Sequence, residues 1–103
     1  MDNFSNLNYL KSELKKITHH FELKDFDYVI QKSIILIKKN PQQIPFYNFL
    51  GLAYRQKGKL YLAEKILYEA HKIEPDNINV LTNLASVYRH LEDFSKSIKY
   101  FEI

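Results

Sequence analysis

Apolar positions recur every three or four residues along most of the chain, the period of an α-helix with one buried face. In "IPFYNFLGLAYRQKG" the apolar set is Phe46, Phe49, Leu50, Ala53 and Tyr54. In "KLYLAEKILYEAHKIEP" it is Leu62, Ala63, Ile66, Leu67, Ala70 and Ile73. The breaks between these stretches have local causes. Pro45 suits a first helical turn, where its missing N–H costs nothing. Gly58 suits the left-handed residue that closes a helix. Pro75 cannot continue the second helix and biases Glu74 away from helical torsions. Asp76 or Asn77 can then cap a helix through "INVLTNLASVYRHL". An earlier amphipathic helix is predicted from Phe4, Leu7, Leu10, Leu14, Ile17 and Phe21.

The pattern repeats. Asn48–Gly58 and Thr82–Glu92 say nearly the same thing 34 residues apart. Leu50, Gly51, Tyr54 and Arg55 map onto Leu84, Ala85, Tyr88 and Arg89. Pro41 maps onto Pro75, Leu60 onto Phe94, Ala63 onto Ser97, and Phe26 joins one period earlier. Residue size is kept at each match. A helix pair per period follows, with Gly51 and Ala63 where the two helices approach most closely. Leu67 or Tyr54 would fill the space a missing side chain leaves. As filler, Gly51 would cost its helix about 1 kcal/mol relative to Ala; its counterpart Ala85 is also small, which favours a packing reason.

The chain thereby resembles the tetratricopeptide repeat family, whose 34-residue helix–turn–helix units carry aromatic, Leu-Gly, Tyr, Ala, apolar, Ala and Pro positions in that order. Tyr47, Leu50, Gly51, Tyr54, Ala63, Leu67, Ala70 and Pro75 fill that pattern in the middle unit. Leu81, Leu84, Ala85, Tyr88, Ser97 and Phe101 follow it in the next. The resemblance implies an all-α superhelical solenoid of antiparallel helix pairs, about three units and six helices, with the last unit truncated. The expected division of this single domain is a degenerate first repeat or cap over 1–41, a second repeat over 44–77 and an incomplete third over 78–103.

The ends depart from the pattern. The first helix lacks Leu-Gly: a strict shift sets Lys16 and Ile17 opposite Leu50 and Gly51. A one-residue slip in the following loop gives the better sequence fit. At the other end, "FSKSIKYFEI" leaves Ile98, Phe101 and Ile103 without a following unit. The expectation is the N-terminal portion of a longer protein, or a chain whose open end around Tyr100 and Phe101 is covered by a second copy, forming a homo-oligomer.

Composition narrows the chemistry. The 103 residues have 46% hydrophobic and 26% charged content, as a globular domain does. Two Gly and three Pro are too few for a loop-rich β protein. No Cys is present, so disulfides, thiolate metal sites and a cysteine nucleophile are excluded. No apolar run approaches a bilayer span, and the expected location is cytoplasmic. A net charge of +3 with scattered Lys makes nucleic acid an improbable partner. His19, His20, His71 and His90 lack metal-ligand spacing, no serine sits in a nucleophile elbow, and no glycine-rich phosphate loop occurs. The reading is of a non-enzymatic chain that needs no cofactor and no metal.

The remaining surface of interest is the concave one, lined by the first helix of each unit. The resemblance places Asn48, Leu52, Arg55, Asn79, Thr82, Asn83, Ser86 and Arg89 there. Helical geometry agrees: Asn48, Leu52 and Arg55 share a stripe, as do Thr82, Ser86 and Arg89. Asn83 directly precedes Leu84-Ala85, as in superhelical members whose asparagine ladder holds peptide main chain; Phe49 takes the equivalent place one unit earlier. Arg55 and Arg89 could present guanidinium forks to an anion, or offset the helix dipole in the last turn of their helices. Leu52, Asn79 and Asn83 stand where the chaperone-tail-binding members need Asn, Lys and Arg, so a carboxylate clamp of that kind is not expected. The expected function is a scaffold holding a partner's peptide or helix in this groove. The alternative is the N-terminal repeat region of a larger glycosyl-, sulfo- or methyltransferase, with its catalytic part beyond residue 103.

Overall fold

The computed structural model describes residues 3–91, with side chains from residue 6. Five helices follow one another: α1 (Asn3–Glu22), α2 (Phe26–Lys39), α3 (Ile44–Gln56), α4 (Leu60–Ile73) and α5 (Ile78–His90). No strand occurs among the described residues. The sixth helix expected over "FSKSIKYFEI", and the open face around Tyr100 and Phe101, lie outside them.

The turns repeat with the sequence. After α3, Gly58 takes φ 75°, the left-handed value that glycine adopts without steric cost. Its N–H reaches Arg55 O at 3.0 Å and the Lys59 N–H reaches Tyr54 O at 2.8 Å, the paired bonds of a Schellman closure. The same pair of bonds closes α1, where Lys24 holds φ 62°. The Lys24 N–H donates to Phe21 O at 3.0 Å and the Asp25 N–H to His20 O at 2.8 Å. Lys24 stands 34 residues before Gly58. Between hairpins, Asn40 and Glu74 end their helices by donating to Leu36 O and Ala70 O. Asn77 then caps α5 by accepting the Val80 N–H at 3.1 Å.

This register needs no slip. Leu10, Glu13 and Ile17 are buried on α1, and Ile44, Tyr47 and Gly51 are buried on α3, 34 residues on. The one-residue offset that improved the sequence match is therefore absent from the fold. Residues 12, 16 and 19, equivalent to buried Phe46, Leu50 and Ala53, are Ser, Lys and His, and all three are exposed. In α3 that second face meets the preceding hairpin. In α1 those three positions are polar.

Packing follows from this two-faced helix. α3 packs on both α2 and α4, α5 packs on α4 and α3, and α1 on α2 and α3. Phe46 and Ala53 join Leu10, Ile17, Val29 and Leu36 in one core. Ile44 and Tyr47 join Ala63, Leu67, Ala70, Val80, Leu81, Leu84, Ala85, Val87 and Tyr88 in the next. Gly51 faces the Leu67 side chain across the α3–α4 contact. A Cβ there would lie 2.6 Å from Leu67 Cγ, closer than van der Waals contact allows. In the first hairpin the equivalent positions are Ile17 and Ser33, both fully buried. The large and the small residue have changed helices, while the crossing stays filled.

Of the residues expected to pack the repeats, Tyr47, Leu50, Gly51, Ala63, Leu67, Ala70, Leu84, Ala85 and Tyr88 are buried, Tyr54 is half-buried and Pro75 is exposed in its turn. The Tyr47 hydroxyl also ties down the inter-hairpin turn, donating to Pro41 O at 2.8 Å. Burial, with a smaller contribution from Glu69, pushes that phenol above its ordinary value.

Candidate functional site

The first helices α1, α3 and α5 together bound a groove of about 520 Å³. α1 gives it Leu14 and Thr18, and α3 gives Ile44, Pro45, Asn48, Phe49 and Leu52. Asn79 and Asn83 come from α5, Gln42 and Gln43 from the α2–α3 turn, and Glu74 and Asn77 from the α4–α5 turn. The i, i+4 spacing on each helix puts each pair on one face. Leu14, Phe49 and Leu52 supply apolar surface. The Phe49 ring meets the edge of Phe21, centroids 5.6 Å apart, which fixes its side of the groove.

The polar wall is made of amides. Asn83 Nδ2 donates to Asn48 Oδ1 at 3.1 Å, joining α5 to α3 across the groove. That bond leaves Asn48 an N–H₂ donor and Asn83 a carbonyl acceptor, the pair of functions that a peptide unit complements. The Thr18 hydroxyl is turned inward on its own helix, donating to Leu14 O at 2.8 Å. Asn77 Nδ2 donates to Glu74 Oε2 at 2.8 Å.

Of the eight residues expected on this surface, Asn48, Leu52, Asn79 and Asn83 line the groove, and Arg55, Thr82, Ser86 and Arg89 do not. Thr82 and Arg89 are exposed, and Arg55 and Arg89 stand in the last turns of α3 and α5. Asn79 and Asn83 lie on the groove side of α5; Ser86 shares their stripe at i+7 from Asn79 but stands a turn further along the helix, and Thr82 is exposed. Leu14 and Thr18 escaped sequence reasoning, although a strict 34-residue shift makes them the equivalents of Asn48 and Leu52. Gln42, Gln43, Glu74 and Asn77 escaped because turn residues read as caps and breakers.

Outside the groove, chemistry is sparse. His20 stacks on Tyr28, centroids 3.6 Å apart, with its Nδ1 3.0 Å from Asp25 Oδ2. The described residues hold no group of three or more His, Asp or Glu side chains placed to share a metal ion. No described helix is long and apolar enough to cross a membrane.

Stacked hairpins with a 34-residue register, a glycine at the crossing and a groove along the first helices define a helical-repeat solenoid. The sequence model of the family described as tetratricopeptide repeat matches residues 44–77 and 78–102, more than half of the chain, and the chain belongs to that family. Over 56 residues it is 30% identical to an uncharacterized protein ycf37 of Pyropia yezoensis, covering 54% of this chain and 32% of that protein. Among solved structures it is similar to the MamA RS-1 ArsTM double mutant, at a TM-score of 0.82 and 18% identity, covering 92% of this chain and 53% of that one. A MamA AMB-1 structure (C2221) gives a TM-score of 0.76 at 17% identity, covering 84% of this chain and 51% of that one. At those identities the likeness is one of fold. The chain spans about half the length of these solved structures and about a third of the curated relative.

Proposed function

We propose that this chain is a non-enzymatic interaction scaffold that holds an extended segment of a partner protein in the α1/α3/α5 groove. The observation that carries the reading is the Asn48–Asn83 bond set beside the apolar Leu14, Phe49 and Leu52. A row of amides with one donor and one acceptor pointing outward suits a peptide main chain. The apolar strip beside it suits alternate side chains of the same segment, since successive side chains of an extended peptide point to opposite sides. Asn48, Leu52, Asn79 and Asn83 are the ligand-binding residues in this reading, joined by Leu14, Thr18 and Phe49. Arg55, Thr82, Ser86 and Arg89 fall outside it.

Selection from a random displayed peptide library tests the proposal. Peptides selected on the wild-type chain are expected to lose binding to Phe49→Asp and Asn83→Arg variants and to keep it for Tyr61→Ala, on the exposed face of α4. Binding that survives both groove variants would overturn the reading.

A further inference from the structure

Resting on the groove reading above, we infer that the segment held there is an internal stretch carrying a lysine or arginine opposite Glu74, and that Glu74 sets this charge preference. Among the described residues that line the groove, Glu74 carries the one formal charge. The rest are amides, a threonine and apolar side chains, none of which can neutralise an incoming carboxylate. Glu74 is exposed, so an acidic segment or a free C-terminus there would meet a like charge with no cation beside it to offset the repulsion.

Glu74 is also held ready. It ends α4 with its backbone at φ −129° and ψ 86°, outside the helical region. Its carboxylate is gripped by Asn77 Nδ2 at 2.8 Å through one oxygen only, Oε2. The other oxygen can accept a charged donor from a ligand. The N-termini of α3 and α5 also face the groove and carry partial positive charge. That charge is about half a unit per helix and fades within a turn. At α5 it is further blunted, because Asn77 already accepts the Val80 N–H; α3 has no side-chain cap, and its Pro45 has no N–H to offer. A full carboxylate outweighs it. Lys11 and Lys15 belong to a neighbouring depression along α1, which shares only Leu14 and Thr18 with the groove.

Such a preference is opposite to that of a cationic clamp that captures an acidic tail. It is also the one feature of the groove that distinguishes partners by charge; the amides read main chain, which every segment has.

The test uses peptides selected on the full chain from a random library with both ends blocked, with affinities measured by fluorescence anisotropy. Lysine or arginine is expected at a fixed distance from an apolar position, and Asp and Glu are expected to be depleted. Glu74→Gln, which keeps the acceptor for Asn77, should weaken the selected peptides roughly two- to five-fold, the size of a partly exposed ion pair. Glu74→Lys should weaken them further and, on reselection, enrich acidic residues at the same position. No basic enrichment, or an unchanged selected set on Glu74→Lys, would overturn the inference. Those results leave the groove reading standing, because that reading is tested separately, by whether binding survives Phe49→Asp and Asn83→Arg. Circular dichroism melting curves matching wild type confirm that each Glu74 variant is folded when it is measured.

Discussion

Leu67 occupies the volume that a side chain on residue 51 would need: an added Cβ would sit 2.6 Å from its Cγ and 2.7 Å from its Cδ2. Leu67 is almost fully buried, so it cannot swing into solvent to make room. The crossing of α3 and α4 is thus set by one absent side chain and one large one.

Overpacking follows from enlarging residue 51. Gly51→Leu is expected to destabilise the chain by about 1–3 kcal/mol or more, read as a lower midpoint in urea unfolding. Leu67→Ala alone should cost about 2–5 kcal/mol by opening a cavity. Combined with Gly51→Ala it should cost less than the sum of the two single changes, because the new methyl enters the space the leucine vacates. Additive costs would mean that the close approach has been misplaced.

Lys24 and Gly58 share one backbone conformation, at φ 62° and 75°, and only one of them is suited to it. Left-handed torsions cost a residue with a Cβ about 1–2 kcal/mol. Lys24→Gly is therefore expected to stabilise the chain by about 1 kcal/mol and Gly58→Ala to destabilise it by a similar amount. Thermal melts of the two variants should move in opposite directions. A fall in melting temperature for Lys24→Gly would contradict the turn assignment.

Glu13 gives the first hairpin an acid limit. Burial alone would raise its carboxyl, but the ion pair with Lys32, followed by the charge of Lys16, outweighs burial and holds it below its ordinary value of 4.5. Lys32 Nζ lies 3.1 Å from Oε2 and Lys16 Nζ lies 3.4 Å from Oε1. A depressed carboxyl contributes stability that is complete above its unfolded value and is lost as pH falls through the folded one. Lys32, raised mainly by Glu13, contributes stability that is complete below 10.5 and is lost as pH rises through its folded value above that. Unfolding experiments should show a plateau at neutral pH and a decline below about pH 4.5, and Glu13→Gln should flatten that decline. An equally steep acid limb in the variant would assign it to other carboxylates.

The Asn48–Asn83 bond predicts a separation of stability from binding. Asn83→Ala removes a single half-buried neutral hydrogen bond and should cost about 0.5–1.5 kcal/mol, leaving the chain folded. Peptide binding should nevertheless fall at least tenfold, since a groove-lining amide is lost with it. Thr82→Ala, next to it but exposed, should leave both quantities unchanged in calorimetry.

What could be read from the chain was whatever the repeat preserves as residue identity. Leu50-Gly51 against Leu84-Ala85, Tyr54 against Tyr88 and Pro41 against Pro75 mark out α3, α4 and α5 with their turns. The first hairpin was harder because it keeps volume and burial while changing identity. Glu13 stands in the place of Tyr47 and finds lysines instead of a backbone carbonyl. Ser33 stands in the place of Leu67, and Ile17 supplies the bulk from the other helix. Without identities to fix the register, the slip was attractive, and it concealed Leu14 and Thr18 as groove residues. On α3 the stripe through Asn48 and Leu52 coincides with the lining of the groove. On α5 the groove lining takes Asn79 and Asn83, while Ser86 lies a turn further along the same stripe and Thr82 and Arg89 are exposed. Which edge faces inward depends on how the hairpins twist against one another, and no single helix encodes that.

The central claim is that the α1/α3/α5 groove receives a peptide. Chemical-shift mapping on the ¹⁵N-labelled chain, titrated with a library-selected peptide, tests it most directly. The account predicts that the perturbed amides cluster at Leu14, Thr18, Asn48, Phe49, Leu52, Asn79 and Asn83. Perturbations confined to Tyr61, Lys65 and Tyr68 on the exposed face of α4, with the groove silent, would contradict it.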